Sequence, residues 1–289
     1  MNEGTTEVVV SYPEIPYSVI SDDIPSYLRT DFFNELGSII ELYKVYAKGA
    51  AITTEGTNGD YAPSDIRFKK CKILVDKEAR FLFSNTPDFN VNKNSGKTQQ
   101  EKDQNTILDT FLDKVLKSNN MSSALVRAAK DCFIGKRVAC MLNFDPEHGI
   151  TITFLKSLEF IAQYSKYSSL EKIVAFYTIV NSNNLMDKRI NKKTYEMHDD
   201  GYCYVHEKLY NGAGTMLEET VPEMRTEFTY IPAVVICNDG LIGDIKGESE
   251  IEGEESYEAI FSKLASGDID AERKTMNPIR WTADASAES

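Results

Sequence analysis

The run Lys136-Arg137-Val138-Ala139-Cys140-Met141-Leu142-Asn143-Phe144-Asp145-Pro146-Glu147-His148-Gly149-Ile150-Thr151-Ile152-Thr153-Phe154 decides the fold class. Val138, Cys140, Leu142 and Phe144 recur at every second position, and Ile150, Ile152 and Phe154 do so again beyond Asp145-Pro146-Glu147-His148-Gly149. A period of two on both sides of a Pro/Gly turn predicts a β-hairpin. The hairpin is also a border, because the apolar period is helical before it and alternating after it.

Upstream, Leu28, Phe32, Leu36, Ile39, Ile40, Tyr43 and Ala47 predict a helix from Asp23 to Lys48, capped by Ser21 or Asp22 and stopped at Gly49. A second helix is expected from Ser64 to Phe83, ended by Asn85-Thr86-Pro87. A third, Gln100 to Lys117, has the cleanest stripe: Ile107, Leu108, Phe111, Leu112, Val115 and Leu116. A fourth, Ser122 to Phe133, turns Leu125, Ala128, Ala129 and Cys132 inward and ends at Gly135. Downstream, strands are expected at Leu158–Tyr164, Ile173–Val180, Lys193–His198, Tyr202–Tyr210 and Ile231–Cys237, with a tight turn at Asp200-Gly201. Helices first and antiparallel strands second give an α+β fold.

From Gly247 the pattern is helical again. Ser249 with Glu252 three residues on predicts a capping box. Tyr257, Ile260, Phe261, Leu264 and Ala265 form one apolar stripe, and Pro278 stops the helix. Such a helix is about 40 Å long. The expected organisation is therefore an irregular arm over 1–20, an α+β domain over 21–246, a long helix over 247–276 and a polar tail over 277–289.

The chain has 289 residues, 42% apolar and 27% charged, which suits a globular protein with a real core. It rules out a disulfide-stapled miniprotein, a collagen-like chain and a fully disordered one. Forty-five acidic against 32 basic side chains give a net charge of −13. That argues against a surface that grips DNA and against docking on anionic lipid. No stretch approaches the roughly 18–20 apolar residues of a membrane span, so no membrane partner is expected. The N-terminus lacks the basic and apolar regions of a signal peptide. Cys71, Cys132, Cys140, Cys203 and Cys237 form no Cys-x-x-Cys pair and are odd in number, which predicts reduced, mostly buried thiols.

Short motifs offer little chemistry. Ser95-Gly96-Lys97-Thr98 resembles the end of a phosphate loop, but Val91 stands where that loop needs glycine, and no apolar strand precedes it. A polar loop capping the third helix is the favoured reading. His198-Asp199-Asp200 puts an imidazole beside two carboxylates, as a metal-dependent phosphoesterase requires. His198 and His206 flank one predicted hairpin, and turn chemistry explains the group more simply. There is no Gly-x-Ser-x-Gly elbow. Tyr202, Tyr204 and Tyr210 share one strand parity, with few basic residues between them to support base stacking. The strongest local feature is charge. Residues 239–258 hold eight carboxylates against Lys246 alone, a net of −7. A helix dipole favours some glutamates at its N-terminus but does not need this many.

Three segments carry a resemblance. Ile231-Pro232-Ala233-Val234-Val235-Ile236-Cys237-Asn238 is followed by Gly247-Glu248-Ser249-Glu250-Ile251 and then by the long helix. Upstream lies Ala79-Arg80-Phe81-Leu82-Phe83-Ser84-Asn85-Thr86-Pro87, with Ser84 where a glycine is usual. In this order they resemble the portal, or head-to-tail connector, proteins of tailed bacteriophages. The resemblance implies a structural protein of the virion, without catalytic residues, cofactor or metal. It implies a dodecameric homo-oligomeric ring at the capsid vertex, through which double-stranded DNA is packaged and ejected without sequence-specific binding. The implied partners are the terminase motor and the scaffolding, capsid and head-completion proteins, with assembly in the host cytoplasm. Portal chains continue past the first stem helix into a clip, a second long helix and a crown, so 277–289 is expected to be the start of a clip.

Physics adds one expectation. A channel for a polyanion must not hold it, since each phosphate contact adds salt-dependent affinity. Glu248, Glu250, Glu254, Glu255 and Glu258 are therefore candidates to face a channel or a subunit seam, with Lys263, Arg273 and Lys274 on the neighbouring stem. Tyr257, Ile260, Phe261 and Leu264 are expected to pack against helices of the same or adjacent chains.

Overall fold

Two antiparallel sheets stack face to face in the computed structural model, which describes residues 15–50, 66–85, 87–90, 98–145, 149–181, 184–239 and 245–276. The deciding hairpin is β1 (Arg137–Asp145) and β2 (Gly149–Lys156), in the register Cys140 opposite Phe154 and Leu142 opposite Ile152. β8 (Ala233–Cys237) pairs with the other side of β1, giving the order β2-β1-β8. The second sheet is a meander of β3 (Phe160–Tyr164), β4 (Leu170–Asn181), β5 (Asn184–Met197), β6 (Cys203–Asn211) and β7 (Met216–Arg225).

Strand parity builds the core. Ala139 and Met141 of β1 meet Phe160, Ile173, Ala175, Tyr195 and Cys203 of the second sheet, with Ile231 beside them, and all are buried. Val138 points the other way, onto Ala128 and Cys132. Both faces of β1 are thus covered, and the residues between the alternating ones are as deeply buried as the ones the pattern picks out. Phe144, at the end of the expected stripe, is half exposed.

Five helices and two 3-10 turns precede the sheets among the described residues. α1 (Tyr17–Ile20) and two 3-10 turns at Ser21–Asp23 and Ser26–Leu28 lie on the outer face of the five-stranded sheet. They are fixed there by the buried ion pair of Asp23 with Lys192 and by Lys192 Nζ donating to the Val19 carbonyl at 3.0 Å. α2 (Arg29–Lys48) starts six residues later than expected, because Pro25 forces Ile24 to be extended (φ −116°, ψ 123°). It stops at Gly49 as expected, with φ +85°. α3 (Lys70–Leu82) is shorter at both ends than predicted. α4 (Gln99–Ser118) begins at a capping box in which Glu101 N–H donates to Thr98 Oγ1 and Thr98 N–H to Glu101 Oε2. Thr98 therefore caps a helix, the favoured reading of that motif; Ser95, Gly96 and Lys97 lie outside the described residues. α5 (Met121–Gly135) lies against the β1–β2 face and packs Ile134 against Ile39, Leu42 and Tyr43 of α2 and Cys71 and Val75 of α3.

Two expectations fail for clear reasons. β7 was not expected at all. Its residues are exposed almost throughout, it carries Pro222, and it is an edge strand, so it needs no apolar alternation. The α4 stripe is not core: Ile107, Leu108 and Phe111 are each about half exposed or more, while Asp109 is buried. α6 (Glu254–Met276) closes the described chain. Its 23 residues span about 35 Å, and it starts at Glu254 rather than at Ser249.

Candidate assembly surface

The turn before α6 is firmly seated. Gly247 has φ +69°, and a β-carbon there would collide with the carbonyls of Lys136 and Asn238. Glu248 N–H donates to Asn238 O at 2.8 Å, and Glu250 N–H to Phe133 O at 2.9 Å. Ile251 is completely buried among α2, α3 and Ile134. Ser249 is no helix cap: its hydroxyl donates to Phe133 O at 3.0 Å. Glu252 caps nothing either, because its carboxylate pairs with Lys136 at 2.6 Å. The capping box fails because Gly253, with φ +93°, separates these residues from the helix.

α6 then turns its polar side inward. Glu258, Ser262 and Ser266, four residues apart, share one face and are 1%, 0% and 5% exposed. Glu258 Oε1 accepts from Ala50 N–H at 2.8 Å and its Oε2 from Cys71 N–H at 2.8 Å. Ser262 Oγ accepts from Phe68 N–H at 3.1 Å, and Ser266 Oγ from Ile66 N–H at 3.0 Å. Cys71 lies in the first turn of α3, whose own N-cap residue Lys69 supplies no side-chain bond. Glu258 therefore supplies, from a distant part of the chain, the anionic acceptor that a helix N-terminus favours. Burial, reinforced by the Glu258 carboxylate, pushes the Cys71 thiol up to about 12, so it stays protonated. Glu258 is thus buried within the chain, not on an exposed surface as that expectation required.

The opposite face is apolar and uncovered. Tyr257, Ile260, Phe261 and Leu264 are 60%, 56%, 50% and 65% exposed. Lys70 Nζ lies 4.9 Å from the centre of the Phe261 ring. Phe68, just before α3, and Ile73 and Leu74 within it are exposed as well.

The acidic cluster divides in two. Glu250, Glu252 and Glu258 are spent on Asn238, Lys136 and backbone amides. Glu248, Glu254 and Lys263 are exposed, and Glu255 is half-buried. Arg273 and Lys274 belong to the last turns of α6, and their side chains lie outside the described residues. Much of the expected repulsion is therefore relieved inside the chain.

The alternative site does not assemble. Asp200 Oδ1 accepts from Tyr202 N–H at 3.0 Å and Oδ2 from the Tyr204 hydroxyl at 3.0 Å, which holds its carboxyl below the usual range. His198 stacks on Tyr204 and pairs with Glu223 at 3.3 Å. His206 sits opposite Thr194, several rungs from His198, so the two histidines do not meet. Asp199 is exposed. Among the described residues no group of three or more His, Cys, Asp or Glu side chains is placed to hold a metal. A cleft between the start of α2, β3 and β8 has a volume of about 210 Å³. Its Arg137 is paired with Glu35 at 3.0 Å.

Residues 26–239 match the family of phage portal proteins described as SPP1 Gp6-like. The chain belongs to this portal family. No curated protein matches it. The portal match spans α2 to β8 and ends just after β8, so it covers both sheets and stops short of the anchored turn and α6. It makes the chain a phage structural protein of portal type. No helix among the described residues is long and apolar enough to cross a membrane. Within the portal segment, the Ile231-Pro232 motif is structural: Ile231 is buried and Pro232 O accepts from Leu142 N–H at 2.9 Å. The Ala79–Pro87 motif ends α3 with Ala79 buried and Phe81 86% exposed. Sequence reasoning missed the buried polar face of α6. The signal was present as Glu258-x-x-x-Ser262-x-x-x-Ser266, a regular four-residue spacing opposite the apolar stripe.

Proposed function

We propose that this chain is a subunit of the portal ring at the capsid vertex, the conduit for double-stranded DNA during packaging and ejection. Residues 21–246 form its wing, α6 is a stem helix, and 277–289 begin a clip. One observation carries the reading beyond family membership: α6 buries its polar face inside the chain and leaves Tyr257, Ile260, Phe261 and Leu264 uncovered. Together with the exposed Phe68, Ile73 and Leu74, these side chains are apolar surface of the kind a subunit interface covers. An adjacent subunit, repeated head to tail, covers such a face in a closed ring.

Glu248, Glu254 and Glu255 with Lys263 then line the channel or the seam beside it, a wall that lets a polyanion pass. The terminase motor and the scaffolding, capsid and head-completion proteins dock on the ring, which assembles in the host cytoplasm and stays in the virion.

Native mass spectrometry and electron microscopy of the purified chain test this. The expected species is a closed ring of about twelve copies, and Phe261→Asp with Leu264→Asp should leave monomers. Monomers at every concentration and salt would count against assembly through this face.

A further inference from the structure

We infer that Glu258, Ser262 and Ser266 form a latch that sets the direction of α6, with Gly253 as its pivot. The latch is argued from this chain alone and stands whether or not the chain forms a ring.

Three features along 247–266 have different mechanical characters. The turn 247–252 is fixed, by the collision that any side chain at Gly247 would meet and by the fully buried Ile251. Gly253 is open: it has φ +93°, and a β-carbon there would meet nothing within 4 Å. Beyond it, the contacts of α6 with α3 and the segment before it include four bonds from Ala50, Ile66, Phe68 and Cys71 to its polar face. All four donors are main-chain N–H groups, so the recognition is of backbone shape, not of side chains. They sit on both sides of residues 51–65, so one helix face holds both ends of that connection.

Such a contact differs from a packed apolar seam. Hydrogen bonds exchange with water at small net cost while their donors are free to be hydrated. An apolar seam has no such alternative. Four bonds to one rigid helix also make and break together, since a rotation at Gly253 that frees Glu258 carries Ser262 and Ser266 away with it. The docked position aims the apolar stripe outward; release at the pivot re-aims it. The latch therefore makes the direction of α6 a two-position property of the subunit.

Hydrogen–deuterium exchange on the full 289-residue chain reads the four amides directly. Rates are referred to the amides of β4 and β5, which cancels any global loss of stability. Glu258→Gln should speed Ala50 and Cys71 and, although it touches neither, Ile66 and Phe68 as well, each by about tenfold. Ser262→Ala with Ser266→Ala, a change that leaves Glu258 intact and is mild enough to fold, should speed the same four. Acceleration of all four in both variants supports the latch. Acceleration confined to the amides that lose their own acceptor, or none, overturns it, because the contacts would then be independent.

Discussion

The sheet region and α6 solve opposite problems. Between β1 and β6 the apolar residues turn inward, and the deepest of them, Ala139, Met141 and Ile173, are fully buried. α6 turns Glu258 and Ser262 inward instead and holds Tyr257, Ile260, Phe261 and Leu264 out. Both are amphipathic, so the difference lies in what covers the apolar side. In the sheets the cover is the same chain. For α6 the described residues leave that side half exposed or more, and the helix docks by hydrogen bonds on its polar face. Amphipathicity shows which face wants cover but not which molecule provides it.

The contrast can be broken most forcefully at Ile173. Ile173→Ala removes a fully buried side chain between the two sheets and should cost about 3–4 kcal/mol, read as a lower urea midpoint with an unchanged slope. Next comes the polar counterpart in α6. Glu258→Ala leaves two buried amides without an acceptor, a loss of about 2–3 kcal/mol, whereas Glu254→Ala, in the exposed part of the same turn, should stay within about 0.5 kcal/mol. Equal effects at 258 and 254 would erase the distinction between the buried and the exposed glutamate of the helix.

How much of this was legible follows from the same contrast. The β1–β2 hairpin, the stop at Gly49 and the cap of α4 were readable, because each is decided by neighbours in sequence: alternation, a positive φ, a Thr98–Glu101 pair. The stripe of α6 was readable as a stripe. Its direction was not, because that depends on backbone amides some 190–210 residues away at Ala50 and Cys71. β7 was invisible for the complementary reason. An edge strand exposed on both sides obeys no burial period, and only its pairing with β6 defines it. Of the candidate residues, Ser249 and Glu252 serve the fold without capping α6, and Glu258 is buried within the chain rather than exposed.

A smaller effect lies at the junction of helices α2, α3 and α5. Asp76 accepts from Lys130 at 2.6 Å and from the Tyr46 hydroxyl at 2.8 Å. Burial pushes the Asp76 carboxyl up, but these two bonds outweigh it and hold it below its usual 3.8. A carboxyl whose pKa is lowered in the folded chain stabilises above its unfolded pKa, and that contribution is lost as pH falls through the folded one. Asp76→Asn should therefore cost about 1 kcal/mol at pH 7, and the gap from the parent chain should close below pH 3.8. A gap that persists in acid would mean that packing, not charge, carries the contact.

The smallest effect on stability is the most telling. Ile260→Ala and Leu264→Ala each trim a side chain that the described chain leaves more than half exposed. In dilute solution each should change the unfolding free energy by no more than about 0.5 kcal/mol. The same two changes should weaken self-association by about tenfold or more, since a buried aliphatic side chain contributes about 1.5–3 kcal/mol, and sedimentation across a concentration series reads that directly. The two measurements together locate the cover. A loss of stability like that of Ile173→Ala would place it within the chain, and α6 would then be an ordinary core helix. A loss confined to association places it on another molecule, and the sheet and the helix keep their opposite designs.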